Sequence, residues 1–183
     1  TPTTVNFYLP LVPGAYYHVF NRGNNRENVF VTPANAAYFL RKYAHYLAPV
    51  ADTYAYCLLP NHFHLLIRVK TAEEIRALHL PGRVNLPGLP DLEGLHDLEG
   101  VHNHDRVGQL VSERFRLLFM SYAKAINKQE GRVGSLFQKN FKRLHVGSAD
   151  YLRSLVLYIH ANPQLHRLCE QFEDWPNSSF ATF

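Results

Sequence analysis

Two cysteines, one methionine and one tryptophan are all that this 183-residue chain carries of those types. Cys57 and Cys169 are too few for a disulfide framework, which excludes the small stapled secreted folds and favours a reducing, cytosolic setting. No apolar run approaches membrane-spanning length, and no signal-peptide pattern opens the chain. Charge of one sign is also scarce. A formal +4 with 19% charged residues leans basic, which permits an anionic partner without demanding one. Apolar residues reach 46%, so a single domain spanning 1–183 can bury a core of its own.

What is present is a regular order of elements. "AYYHVFNR" (15–22) alternates as a strand and ends in the polar turn "GNNREN". Thr32-Pro33 is an N-cap followed by proline at the first helical position, and apolar residues at helical spacing continue to Pro49. Residues 53–59 and 62–69 are two strands joined across Pro60-Asn61. Val111, Phe115, Leu118, Tyr122 and Ile126 mark a long amphipathic helix. A fourth strand over 141–146 and a helix capped by Ser148 complete the series. The order predicts an α+β, ferredoxin-like antiparallel sheet with helices on one face. Between 71 and 107 the pattern breaks into turn signals and a tandem hexapeptide, "DLEGLH" then "DLEGVH", expected to be a mobile inserted loop. His96, His102 and His104 there match no compact ligand spacing, and a solvated duplication is the expected reading.

One stretch carries chemistry. In "LLPNHFHLLIRV" (58–69), His62 and His64 are two apart on a strand and so project from one face, while Phe63, Leu65 and Ile67 project from the other. A single strand histidine is ordinarily structural. Two side by side can hold a divalent metal through neutral imidazole nitrogens and leave positions open for substrate and water. A third ligand must come from elsewhere. "YIHANP" offers Tyr158 and Asn162, which share a helix face only if the helix persists into Pro163.

With these motifs the chain resembles the single-tyrosine HUH transposases, closest to the REP-associated tyrosine transposases and their insertion-sequence relatives. "YHVFNRGNNRENVF", "LLPNHFHLL", "GSLFQKNFKR", "YIHANP" and "DWPNSSF" fall in that family's order and cover most of the chain outside 71–107. The resemblance implies metal-dependent cleavage and rejoining of hairpin-bearing single-stranded DNA through a 5′-phosphotyrosine. It implies Tyr158 as nucleophile, and His62, His64 and Asn162 as ligands of Mg2+ or Mn2+. Many relatives carry a longer Gln where Asn162 stands. Arg22, Arg26, Gln138, Lys139, Lys142 and Arg143 are candidate DNA contacts, because basic groups interleaved with Phe137 and Phe141 suit single strands. Trp175 and Phe180 are expected to pack as core. Two other readings stay open: a domesticated binder of hairpin DNA without transposition, and an unrelated RNA-binding module of the same fold. A monomer is expected over a helix-exchanged dimer.

Overall fold

Alternation along one strand organises the molecule. In a computed structural model describing residues 6–78 and 103–180, Phe63, Leu65, Ile67 and Val69 are fully buried on one face of the strand His62–Val69. This strand, β3, lies between β2 (Ala51–Leu59) and β1 (Tyr16–Arg22), antiparallel to both, and β4 (Lys142–Val146) pairs antiparallel with the far side of β1. The order β2-β3-β1-β4 is the ferredoxin-like arrangement that the element series implies. Leu59 and His62 are register partners, so the β2–β3 hairpin turns on Pro60-Asn61 as expected.

Helix α1 (Pro33–Leu47) starts in a capping box: the Thr32 side chain accepts from Asn35 N, and Asn35 Oδ1 accepts from Thr32 N. With α3 (Asn103–Gln129) it covers the Phe63 face, where Phe39, Tyr43 and Leu47 meet Val111, Phe115, Leu118 and Tyr122. The last helix, here called α4 (Ala149–Leu165), does not join them. Its Leu155 and Ile159 pack with Ala55, Cys57, Leu59, Leu66 and Val146 on the opposite, histidine-bearing face. The α+β class and sheet stand, but helices occupy both faces instead of one. Those five sheet residues make a second apolar patch that would otherwise meet water, and α4 buries it.

The C-terminal segment holds α4 to β2. Leu58 N donates to Asn177 O at 2.8 Å and Ser179 N to Tyr56 O at 3.0 Å, so the chain covers the outer edge of the sheet. Trp175 Nε1 donates to Leu58 O, while Ser179 Oγ sits 2.8 Å from His160 Nε2. Trp175 thus packs as expected, and the buried Ser179 side chain bonds to the β2 backbone as well.

The loop expected over 71–107 is structured at both ends. Residues Ala72–Ala77 form α2, with a Thr71–Glu74 capping box and Ile75 fully buried. Arg68 ties this helix to the sheet through Glu74 and Asp52 at 2.7 and 2.6 Å. At the other end α3 begins before Gly108, and Val107 is buried. Gly108 lies inside this helix, and glycine is required there because a Cβ would lie 2.1 Å from Leu11 O. The hexapeptides, with His96 and His102, lie outside the described residues.

Candidate active site

The sheet supplies one half of the site. Phe20 partners His64 and Arg22 partners His62 in the β1–β3 register, so these side chains share a face with His18, and Lys142 joins them opposite Phe20. His62 Nδ1 lies 2.6 Å from Asn61 Oδ1, which can only accept, so Nδ1 carries the proton and Nε2 keeps its lone pair. His64 Nδ1 lies 2.9 Å from His18 Nε2. Burial pushes His18 and His62 down to about 4, with His166 and Arg22 adding to the effect on His62. Burial, then neighbouring His18, His62 and His166, holds His64 well below 6.5. All three imidazoles are neutral near pH 7, the form that binds a metal.

Helix α4 supplies the other half. It runs unbroken through Pro163 to Leu165, so Tyr158 and Asn162 do share a face, and His166 at the C-cap extends that face by another four residues. The Tyr158 ring centroid is 5.7 Å from that of His64, and the His166 centroid is 5.0 Å from that of His62. Asn162 lies between Tyr158 and His166 along that helix face. Its Nδ2 donates to Tyr158 O at 2.8 Å, an acceptor that fixes which end of the amide is nitrogen. The other end, Oδ1, is buried and has no hydrogen-bond partner among the described residues.

A buried orphan carbonyl oxygen costs free energy unless something satisfies it. Together with the two imidazole lone pairs it would make a mixed nitrogen–oxygen donor set, a chemistry that fits a divalent ion such as Mg2+ or Mn2+. Among the described residues no three His, Cys, Asp or Glu side chains group into a ligand set, so His166 does not complete one with the pair. Sequence reasoning passed over both His18 and His166. The second was legible as a further step of four from Asn162; the first depends on strand pairing.

A cleft of about 220 Å³ opens here, lined among others by Arg22, His62, His64, Gln138, Lys142 and Tyr158. Arg22 Nε is buried without a partner among the described residues. Gly23 N donates to Asn61 O at 2.8 Å, tying the end of β1 to the turn that carries the histidines. Three other candidate DNA contacts lie outside this cleft. Arg26 and Lys139 are exposed, and Arg26 O accepts from Asn61 Nδ2. Arg143 partners Val19, on the face opposite Lys142, and its guanidinium donates to the carbonyls of Leu9 and Tyr8. The basic cluster at 137–143 is therefore split between the two faces by the pleat.

No protein-family model matches the chain, and no curated protein matches it. Among solved structures, one described as a REP-associated tyrosine transposase bound to a REP hairpin superposes with a TM-score of 0.61 at 17% identity. The superposition covers 98% of this chain and 84% of that one. At that identity the likeness is one of fold, and the chain has the fold of a REP-associated tyrosine transposase.

Proposed function

We propose that the protein is a metal-dependent endonuclease and transesterase for single-stranded, hairpin-bearing DNA, a transposase of the HUH type with Tyr158 as nucleophile. One observation carries the reading: the half-exposed Tyr158 packs against His64 on the helix face that also presents the unsatisfied Asn162 Oδ1. The structural neighbour's hairpin is the source of the substrate class.

Arg22, Lys142 and the Gln138 amide line the cleft and would hold the phosphate backbone there. Tyr158 Oη attacks phosphorus, the bond to the 3′ oxygen breaks, the phenol proton passes to solvent and the departing oxygen takes up a proton. The product is a 5′-phosphotyrosine and a free 3′-hydroxyl. Because the ester bond is conserved, an incoming 3′-hydroxyl can reverse the step and join strands without ATP. His62, His64 and Asn162 would hold Mg2+ or Mn2+, which when bound neutralises charge developing on the phosphate. His62 and His64 enter that role already neutral and with a fixed ring orientation. The packing of helix α4 on the sheet of its own chain supports reading the protein as a monomer over a helix-exchanged dimer. DNA as partner assigns it to the compartment that holds DNA, the cytoplasm of a bacterial-type cell.

Incubating end-labelled hairpin strands with the protein and Mn2+, then resolving them on denaturing gels, tests this. A covalent protein–DNA band that needs metal and disappears in His62→Ala and His64→Ala is the expected result. Metal-independent cutting, or full-rate cutting by either variant, removes the metal role. Hairpin binding without any adduct across metals and substrates would favour a domesticated DNA-binding protein.

A further inference from the structure

Tyr158 borders two spaces. One is the catalytic cleft; the other is a separate cavity of about 390 Å³ between α4 and the strands β1 and β4. Phe20 and His64 border both as well. On the sheet side the cavity rests on two register partners, His18 of β1 and Leu144 of β4. On the helix side Tyr151, Ser154 and Tyr158 follow at steps of three and four and so share a face. The Phe20 ring centroid is 4.8 Å from that of His18, which continues the sheet-side wall toward the cleft as a surface of rings. The Ser154 and Tyr151 hydroxyls make no hydrogen bond among the described residues. No carboxylate, lysine or arginine lines the cavity, and burial keeps its two imidazoles neutral near pH 7.

We propose that this cavity is a subsite for the nucleoside that stays attached to the protein after cleavage, its base lying between Phe20 and Tyr151 with the Ser154 and Tyr151 hydroxyls at its edge. The polarity of the reaction selects that occupant. In an in-line displacement the attacking phenol and the departing 3′ oxygen lie on opposite sides of phosphorus, so the departing strand points away from Tyr158. The retained nucleoside is joined to Tyr158 through a single phosphate and remains beside it. A phosphate would find no cation in this cavity, and a charged peptide would find no partner. A base brings an uncharged π-face and polar edges to walls made of rings and hydroxyls. The volume lies toward the lower end of the roughly 300–1,000 Å³ typical of ligand pockets, which suits one nucleoside and not a strand. Hydroxyls turn to donate or accept, so the subsite takes any base and requires only that one is present. Held this way, the phosphotyrosine keeps its phosphate in the cleft for the incoming 3′-hydroxyl that rejoins the strands.

The subsite rests on the nuclease reading for its occupant, and the experiment separates the two. Once the adduct ends have mapped the cut, hairpin strands are made with a normal, an exchanged or an abasic nucleoside immediately 3′ of it. Adduct formation at subsaturating DNA should fall about tenfold with the abasic strand, from lost stacking, and by less than about twofold when one base replaces another. Ser154→Phe fills the cavity from an exposed position outside the metal and phosphate contacts. It should cost about tenfold on the normal strand and nothing further on the abasic one, because both changes remove the same contact. Unchanged rates with the abasic strand, an exchange as costly as the loss of the base, or losses that multiply when variant and abasic strand are combined overturn the subsite. If the protein forms no adduct, 2-aminopurine at successive positions of the hairpin strand reports on the cavity by itself. Emission that responds at one position and reverts in Ser154→Phe sustains the cavity as a base site and overturns the catalytic reading alone. Emission insensitive to Ser154→Phe at every position overturns the cavity too.

Discussion

His18 Nε2 lies 2.9 Å from His64 Nδ1, and the two rings stack with centroids 5.0 Å apart. If His64 Nε2 is to offer a lone pair to a metal, its Nδ1 must carry the proton and donate it to His18. That interaction links strands β1 and β3 and gives His18 a role no spacing argument along the chain could assign. Second partners of this kind orient a ligand and set its tautomer. His18→Ala is expected to weaken Mn2+ binding by about 10–100-fold, read by calorimetric titration. His18→Gln, which keeps an acceptor within reach, should recover part of that affinity. Unchanged Mn2+ affinity in His18→Ala would remove the assignment.

Asn162 is distinguished by a contrast between its metal-free and metal-bound stability. Asn162→Ala removes a buried carbonyl that has no partner among the described residues, which offsets the lost Nδ2 bond to Tyr158 O. The metal-free protein should therefore change by no more than about 1–2 kcal/mol. The rise in Tm that Mn2+ produces in the wild type should shrink or vanish. A full metal-induced rise in the variant would exclude Oδ1 from the ligand set.

Acid should destabilise the metal-free fold through the imidazoles. Unfolded histidines take up protons near 6.5, whereas folded His18 and His62 resist until about 4 and His64 is likewise held well below 6.5, chiefly through burial. Across that window the unfolded state binds more protons, so stability is full above about 6.5 and falls as the pH drops toward 4. Thermal melts at a series of pH values should show this decline, and it should flatten in a His18→Gln, His62→Gln double variant. A decline of equal slope in that variant would assign the acid sensitivity to other groups.

Tyr158→Phe should abolish the covalent adduct while leaving hairpin affinity within about twofold, because phosphate contacts supply most of the binding. Tyr158 is 44% exposed, so losing its hydroxyl should move Tm by little. Tyr151, 40% exposed and bordering a second cavity with Tyr158, is the control. An adduct that persists in Tyr158→Phe and disappears in Tyr151→Phe would transfer the role.

Deleting 72–105 should destabilise the protein, contrary to what the turn-rich sequence suggests. The deletion removes the fully buried Ile75 and the first turn of α3. Ile75→Ala alone should cost about 2–5 kcal/mol in denaturant melts. A loss under 1 kcal/mol would show that α2 contributes nothing to the core.

Local rules account for much of this protein. Alternation over 62–69 assigns the histidines to one face and Phe63, Leu65 and Ile67 to the core, as the burial pattern bears out. Caps at Thr32 and Ser148 and the Pro60-Asn61 turn set element boundaries within a few residues, because each acts through its nearest neighbours in the chain. What required the tertiary structure is whatever depends on which face meets which. The side of the sheet chosen by α4 follows from an apolar patch assembled from β2, β3 and β4, and no single strand displays it. The His18–His64 bond depends on strand register, and the isolation of Arg143 from Lys142 on the pleat of β4. Gly108 lies inside α3, and only the packing shows why it is glycine: the Leu11 carbonyl occupies the space a side chain would need. Local spacing determines which atoms can reach a face; only packing decides which face they share.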